Sequence, residues 1–259
     1  MRNIGDRETI TLQDGTELEV IVERLFELSD GVLVTYSVPE WSKEDKKYFL
    51  QDYFYPTQED YSGIISTTGM PTKYSNMTIK DFRWDMYQED TKIQQKQVEA
   101  FLFGFDIYWR EKKGLYIYSK TRGSGKTMLA CLIANELIKR GLKVKFLPIT
   151  EYVRMRFEKV DVSKYSDCSV LIIDDLGAEG YTQDNIKTMV YDLINDRYNG
   201  HGITIFTSNL TMESCSKDDR IVERVFEMAA PVKMPEVSIR MKKATVSNTS
   251  LLRSALNGV

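Results

Sequence analysis

The stretch that decides the fold runs from Gly114 to Gly141 and reads G-L-Y-I-Y-S-K-T-R-G-S-G-K-T-M-L-A-C-L-I-A-N-E-L-I-K-R-G. Its short apolar run, Leu115 to Tyr118, has the length of a strand, and a glycine-containing loop follows. A helix is expected next, because apolar residues recur at helical spacing until Gly141 gives a C-terminal signal. Strand, glycine loop and helix in this order predict a phosphate-binding loop.

The residues expected to bind the nucleotide are Gly123, Ser124, Gly125, Lys126, Thr127 and Met128. In such a loop the backbone N–H groups and the helix N-terminus surround the phosphates, the lysine reaches the β- and γ-oxygens, and the hydroxyl binds Mg²⁺. The chain departs from the pattern G-x-x-x-x-G-K-[ST] at one position, because Lys120 stands where the pattern has its first glycine. We expect ATP and Mg²⁺ to bind despite Lys120, because the phosphates need mainly the later glycines, the lysine and backbone amides.

Composition limits the class of protein. The 259 residues, 42% of them hydrophobic, suit one large domain with a small appendage. No apolar run approaches the ~20 residues that span a bilayer, and the polar N-terminus does not resemble a signal peptide, so a cytoplasmic protein without a membrane partner is expected. Cys131, Cys168 and Cys215 have no C-x-x-C spacing, so neither a disulfide framework nor a zinc site is expected.

Charge is divided unevenly along the chain. Residues 1–75 contain 7 basic and 14 acidic residues, a net charge of −7, whereas residues 76–259 contain 28 and 24, a net charge of +4. An acidic N-terminal part is unsuited to binding nucleic acid. If DNA binds, we expect it to bind the second part.

The N-terminal residues predict a small β-rich domain. The segments Thr9–Leu12 and Leu18–Val22 alternate around a turn at Asp14-Gly15, and a second turn at Asp30-Gly31 separates two further strands. A short aromatic-rich helix is expected from Ser42 to about Phe54. Aromatic residues suit both a core and a protein-binding patch.

Three parts of the chain are expected from these patterns. Residues 1–62 are predicted to be a partner-binding domain made of a β-meander and a helix. Residues 63–75 are rich in turn-forming residues and predict a linker. Residues 76–259 are predicted to be the ATPase domain.

After the glycine loop, strands and helices alternate. Strands are expected at Lys143–Leu147, Ser169–Ile173, Ile203–Thr207 and Val232–Met234, with helices at Glu151–Glu158 and from Thr182 to Asn199. Alternation of this kind predicts an α/β fold in which a five-stranded parallel sheet carries helices on both faces.

Polar side chains follow two of these apolar strands. Asp174 and Asp175 come directly after one strand, and Asn209 follows the next. Ligands of parallel sheets lie at the carboxyl ends of the strands, and two carboxylates there are costly without a cation. We expect Asp174 to hold Mg²⁺, Asp175 to accept a proton from the attacking water and Asn209 to orient that water. The alternative is that the two aspartates only cap the next turn.

Three segments carry a resemblance to a known family. They read V-L-I-I-D-D-L-G-A-E (170–179), I-F-T-S-N-L (205–210) and D-R-I-V-E-R (219–224). They resemble the AAA+ ATPases of the DnaC/DnaI helicase-loader group and their IstB transposition relatives. The similarity covers roughly residues 68–245 and implies the AAA+ P-loop fold.

The resemblance also implies roles for individual residues. It makes Lys126 and Thr127 Walker A residues, Asp174 and Asp175 Walker B residues, Asn209 sensor 1, Arg224 the arginine finger with Arg220 beside it, and Arg240 sensor 2. An arginine finger implies self-association, with the active site shared between subunits. The basic residues expected to contact single-stranded DNA are Arg154, Arg156 and Lys159, although a solvated helix face is the alternative.

The function implied is an ATP-dependent loader that places a DnaB-type replicative helicase on single-stranded DNA, in a bacterial or phage-infected cytoplasm. Three alternatives stay open. One is an IstB-like transposition helper ATPase, which a mainly helical N-terminal region would favour. Another is a non-hydrolysing AAA+ decoy that binds a helicase or host loader, which Lys120 keeps open. The last is a P-loop ATPase with an unrelated task.

Overall fold

The computed structural model describes residues 3–11, 17–28, 31–37, 52–56, 62–178 and 184–245. Within these ranges the strands form a four-stranded antiparallel sheet and a five-stranded parallel sheet. The antiparallel sheet precedes the parallel one in the chain, and each has a hydrophobic core of its own.

The N-terminal sheet confirms the predicted β-meander. Its strands are β1 (Arg7–Thr11), β2 (Glu17–Leu28), β3 (Gly31–Ser37) and β4 (Asp52–Pro56), paired in that order. The alternating residues Val20, Val22, Val34 and Tyr36 are buried on one face, as period-two patterning requires.

The predicted helix from Ser42 to about Phe54 is wrong at its C-terminal end. Residues 52–56 pair with β3 in antiparallel register, with Val34 opposite Tyr53 and Leu33 opposite Phe54. Aromatic residues favour strands when a neighbouring strand offers backbone partners, which local helix signals do not reveal. The rest of the predicted helix, residues 42–51, lies outside the described residues.

A helical segment precedes the parallel sheet. It contains α1 (Ser62–Ser66), three short 3-10 helices (Thr72–Tyr74, Ile79–Asp81 and Trp84–Tyr87), α2 (Lys92–Phe103) and α3 (Phe105–Arg110). Residues 63–75, expected to be a linker, lie against the sheet: Ile65 and Met70 are buried in its core, and the Phe146 N–H donates to the Thr68 carbonyl oxygen at 2.8 Å.

The parallel sheet confirms the predicted α/β architecture. Its strands are β5 (Gly114–Tyr118), β6 (Val144–Pro148), β7 (Val170–Asp174), β8 (Ile203–Ser208) and β9 (Ala229–Lys233), in the order β6-β7-β8-β5-β9. The helices between and after them are α4 (Lys126–Lys139), α5 (Ile149–Phe157), α6 (Ser163–Ser166), α7 (Asp184–Asn199), α8 (Asp219–Met228) and α9 (239–245).

The core lies on both faces of this sheet. One face packs against α4 and the helical segment before β5, and the other packs against α5, α7 and α8. Strands β7 and β8 are therefore buried along their whole length. Because the strands are parallel, the carboxyl ends of β5, β7 and β8 meet at one edge.

Within the described ranges, no helix has both the length and the apolar character needed to cross a membrane. The same residues contain no group of three or more His, Cys, Asp or Glu side chains arranged to hold a metal ion. Cys131, Cys168 and Cys215 are buried free thiols, which fits a role as small core residues.

Candidate functional site

The loop between β5 and α4 has the backbone shape that its glycines allow. Gly123 has φ +76° and Gly125 has φ +96°, in the region that favours glycine. A Cβ atom on Gly125 would lie 2.9 Å from the Tyr87 hydroxyl, which itself donates to the Ser124 carbonyl oxygen at 2.6 Å. The loop is thus held against the helical segment that precedes β5.

Lys120, where the motif has its first glycine, adopts an ordinary backbone conformation. The non-glycine residues with positive φ in the described part of the chain are Gln88, Lys112, Lys159 and Asp175. The backbone conformation therefore does not require glycine at position 120, and the lysine does not strain the loop.

Lys126 is a buried cation whose partners are neutral. Its side chain is held by the carbonyl oxygens of Ser119 and Thr121, at 3.3 and 3.1 Å from Nζ, and by Ser124 Oγ at 3.2 Å. Burial lowers the pKa of Lys126, while the nearby carboxylates of Asp175, Glu236 and Asp174 oppose this shift. A buried ammonium group of this kind favours a bound anion.

Asp174, at the end of β7, joins the loop to the neighbouring strands. Its Oδ1 accepts hydrogen bonds from the hydroxyls of Thr127, at 2.8 Å, and Thr207, at 2.6 Å. Burial raises the pKa of this carboxyl, and Asp175 adds to the shift, although both hydroxyls oppose it. A carboxylate and a hydroxyl in contact offer the hard oxygen ligands that Mg²⁺ prefers.

Asp175 and Asn209 are brought together as the sequence predicts. Asn209 Nδ2 donates to Asp175 Oδ1 at 3.5 Å. Asp175 has φ +56°, and its N–H donates to the Thr207 hydroxyl at 3.0 Å. Thr207 therefore links both aspartates, a role that its place at the polar end of an apolar strand could have suggested.

Arg240 and Met128 are the two remaining predicted site residues near the loop. The Arg240 N–H donates to the Gly123 carbonyl oxygen at 3.2 Å, so α9 begins against the loop. Met128, in the first turn of α4, is half-buried against the core. The side chain of Arg240 is exposed at the surface of the loop.

Arg220 and Arg224 lie on one face of α8, against α7. The Arg220 guanidinium lies 4.4 Å from the Tyr191 ring centroid, and that of Arg224 lies 3.9 Å from the Tyr198 ring centroid. Arg220 also pairs with Asp218 at 2.7 Å. The other side of α8 is anchored by three buried side chains, Ile221, Val225 and Met228.

The predicted DNA-contacting residues are partly engaged within the chain. Arg154 pairs with Glu151 and with Glu158, the latter at 3.2 Å. Arg156 donates to the Tyr152 hydroxyl at 2.7 Å and lies 3.4 Å from Asp192. A DNA phosphate would have to compete with these carboxylates.

A cavity of about 850 Å³ lies beside the loop. Its walls come from residues 87–90 and Gln94 on one side, and from residues 233–238 and Lys242 on the other. The sequence analysis did not foresee this cavity, because its walls come from segments far apart in the chain. The sequence analysis also did not foresee Glu236, a residue of the cavity wall that is far from the glycine loop in the chain. Its carboxylate binds the start of that loop.

Together, a glycine loop after a central parallel strand, a buried lysine, and a hydroxyl–carboxylate contact at the end of β7 are the features of a P-loop nucleotide-binding protein. Residues 70–245 match the family described as IstB-like ATP binding protein. The match covers well over half of the chain, which therefore belongs to this family.

Other similarities agree with this assignment. The chain is 28% identical over 145 residues to the replicative helicase loader DnaI of Bacillus subtilis, covering 47% of this chain and 46% of that protein, so it spans about half the length of that relative. A crystal structure of DnaI superposes with a TM-score of 0.53 and 26% identity, over 65% of this chain and 95% of that chain. The AMPPCP-bound DnaA of Aquifex aeolicus shares the fold, with a TM-score of 0.52 and 20% identity over 64% and 51% of the chains.

Proposed function

We propose that the protein is an ATP-dependent loader that places a DnaB-type replicative helicase on single-stranded DNA in the cytoplasm. The observation that carries the proposal is the buried Lys126 beside the Thr127–Asp174 hydrogen bond, in a chain that is similar to the helicase loader DnaI. The first feature supports nucleotide binding, and the second supports the task.

ATP is proposed to bind with its phosphates in the glycine loop. Gly123 and Gly125, both with positive φ, leave the loop without a Cβ atom at these two positions, and Lys126 supplies a buried positive charge. The cavity of about 850 Å³ beside the loop offers room for the base and ribose. The AMPPCP-bound state of the DnaA neighbour supports ATP as the nucleotide.

Thr127 and Asp174 are the residues that would hold Mg²⁺, which supplies charge neutralisation of the phosphates when bound. Asp175 is proposed to accept the proton of the attacking water, because its carboxylate is less buried than that of Asp174. Asn209, whose amide points to Asp175, is proposed to orient that water.

Arg224 is proposed to act on the nucleotide of a neighbouring subunit, with Arg220 beside it and Arg240 acting within its own subunit. Arg224 stacks on Tyr198 and lies 3.9 Å from the Glu227 carboxylate, and these contacts hold its guanidinium at the surface of α8. The weak pair with Glu227 would open when the guanidinium meets a phosphate. A cation supplied by a partner is worth about 10³–10⁵ in the rate of phosphoryl transfer. The isolated monomer should therefore bind ATP and hydrolyse it slowly.

A mixture of two inactive variants tests this arrangement. Arg224→Ala lacks the finger and Lys126→Ala lacks the phosphate site, so each alone should be nearly inactive. Mixed assemblies contain some interfaces with both residues intact, and ATPase activity should recover on mixing. No recovery, in mixtures shown by sizing to assemble, would mean that Arg224 does not act across the interface.

The N-terminal residues 1–62 are proposed to carry the helicase contact. Their four-stranded sheet belongs to the acidic part of the chain, which disfavours DNA and suits a protein partner. Residues 63–75 would then lead from this part to the ATPase domain, 76–259, while packing against the core of the parallel sheet through Ile65 and Met70.

Single-stranded DNA is proposed to bind near the end of α5, at Arg154, Arg156 and Lys159. Phe157, in the same stretch of sequence, is 51% exposed and offers an aromatic ring on which a base can stack. The ion pairs of the two arginines would open when phosphate binds.

An IstB-type transposition helper is the second candidate, favoured by the family match over residues 70–245. Co-purification separates the two functions. A loader should form an ATP-dependent complex with the replicative helicase of its own cell, which Lys126→Ala should not form. A helper should instead bind a transposase, and capture of a transposase without any helicase would overturn the loader proposal.

A further inference from the structure

A segment after β9 contacts the start and the middle of the glycine loop. We call residues 234–240 the strap. The Met234 N–H donates to the Tyr118 carbonyl oxygen at 2.7 Å, and the Ser119 hydroxyl donates to the Pro235 carbonyl oxygen at 3.2 Å. At the other end, the Arg240 N–H contacts Gly123. The strap therefore touches both the start and the middle of the loop.

Glu236 lies at the centre of the strap and binds the start of the loop. One carboxylate oxygen accepts the Lys120 N–H at 3.1 Å. The other accepts the Ser119 hydroxyl at 3.0 Å, and the Thr121 N–H and hydroxyl at 2.8 and 2.9 Å. Burial alone would raise the pKa of Glu236, but these hydrogen bonds outweigh it and lower the pKa, so the carboxylate is ionised at neutral pH.

The residues that Glu236 holds are also those that hold Lys126. The carbonyl oxygens of Ser119 and Thr121 accept from the Lys126 ammonium. The N–H groups of Lys120 and Thr121 and the hydroxyls of Ser119 and Thr121 donate to Glu236, so this short segment binds the carboxylate with its donors and the lysine with its carbonyl oxygens. A shift of this segment would move the ammonium group with it.

We propose that Glu236 is a positioning residue for the phosphate-binding loop. It fixes residues 119–121, and through them the Lys126 ammonium, and it couples the loop to Arg240 through the strap. The inference rests on the proposed binding of ATP at this loop.

The central test is ATP–Mg²⁺ affinity measured by calorimetry on the full chain. Glu236→Ala should weaken ATP binding by about tenfold or more, because it removes several hydrogen bonds to a charged acceptor. Glu236→Gln keeps an acceptor oxygen, so its ATP affinity should lie between that of Glu236→Ala and that of the native protein. Glu99→Gln, at an exposed site on α2, should stay within about twofold of native affinity.

Two further readouts separate positioning from a general loss of structure. In nucleotide-free protein, amide hydrogen exchange at Lys120 and Thr121 should quicken in Glu236→Ala, while the Tm of the protein stays close to native. In a double-mutant cycle, Arg240→Ala should weaken ATP binding less in the Glu236→Ala background than in the native one.

Unchanged or tighter ATP binding by the Glu236 variants would overturn the proposal. If Glu236→Ala or Glu236→Gln bound ATP as tightly as the native protein, or more tightly, the carboxylate would act only as a charge near the phosphates. If the native protein binds ATP and Lys126→Ala does not, that result would refute only the positioning role of Glu236 and not the proposed ATP site. Failure of the native protein to bind ATP would refute the proposed function, and unchanged amide exchange in Glu236→Ala would still refute the contact.

Discussion

Gly125→Ala is the substitution whose effect the structure defines most closely. Gly125 has φ +96°, and a Cβ atom there would lie 2.9 Å from the Tyr87 hydroxyl and 3.2 Å from Phe82 Cζ. Both neighbours are buried side chains, and the Tyr87 hydroxyl donates to the Ser124 carbonyl oxygen at 2.6 Å. An alanine must therefore adopt a left-handed conformation and also displace this hydroxyl.

Two costs add up to the expected loss of stability in Gly125→Ala. A left-handed backbone costs an alanine about 1–2 kcal/mol. Loss of the Tyr87–Ser124 hydrogen bond costs about 1 kcal/mol more. The sum, roughly 2–3 kcal/mol, corresponds to a fall in Tm of roughly 5–10 °C for a domain of this size. ATP affinity should fall as well, because the amides of the displaced loop are the proposed phosphate ligands.

Thermal unfolding and ATP calorimetry measure both effects. Gly63→Ala is the control, since nothing lies within 4 Å of a Cβ atom there and its φ is not in the positive range. Tyr87→Phe removes the hydroxyl that the new methyl group meets, so the double variant Gly125→Ala/Tyr87→Phe should lose less stability than the sum of the two single variants. A Gly125→Ala protein with native Tm and native ATP affinity would refute this reasoning.

Three other predictions concern the metal site, the DNA and the partner. Asp174→Asn should abolish stabilisation of the protein by ATP–Mg²⁺. Because burial raises the pKa of Asp174 above its ordinary 3.8, this carboxyl contributes stability that is lost as pH rises through the raised value. The slope of the free energy of unfolding against pH should therefore differ there between the native protein and Asp174→Asn, and identical slopes would contradict the raised pKa. Replacing Arg154 and Arg156 with alanine should weaken the salt dependence of single-strand binding, with the slope of log K against log salt falling by about one unit per lost contact. Lys96→Ala is the control and should keep the native slope. An unchanged slope in the double variant would mean that DNA binds elsewhere. Residues 62–259 alone should bind ATP but fail to co-purify with the helicase, and retained capture would contradict the proposed division of labour.

Much of the fold followed from the sequence because its signals are local. The apolar runs that form β7 and β8 are short, and each ends in polar residues, so alternation with helices specified a parallel sheet. The meeting of Asp175 with Asn209 followed from the rule that parallel strands end at one edge.

Other features depend on contacts between distant residues. Tyr53 and Phe54 joined a strand because β3 offers them backbone partners, which no local pattern records. Glu236 lies more than a hundred residues from the loop that it binds. The ion pair of Arg154 with Glu158 differs from these features because it is local. The two residues are four apart on a predicted helix, and this spacing predicts that they pair.

Helicase loading is the measurement that tests the central claim most directly. A closed circle of single-stranded DNA with one annealed oligonucleotide would be incubated with the replicative helicase of the same cell, and oligonucleotide displacement would be followed over time. The account predicts that displacement needs both this protein and ATP, that Lys126→Ala abolishes the stimulation, and that Glu99→Gln retains it. Displacement at an unchanged rate with and without the protein, under conditions where it binds ATP, would contradict the account.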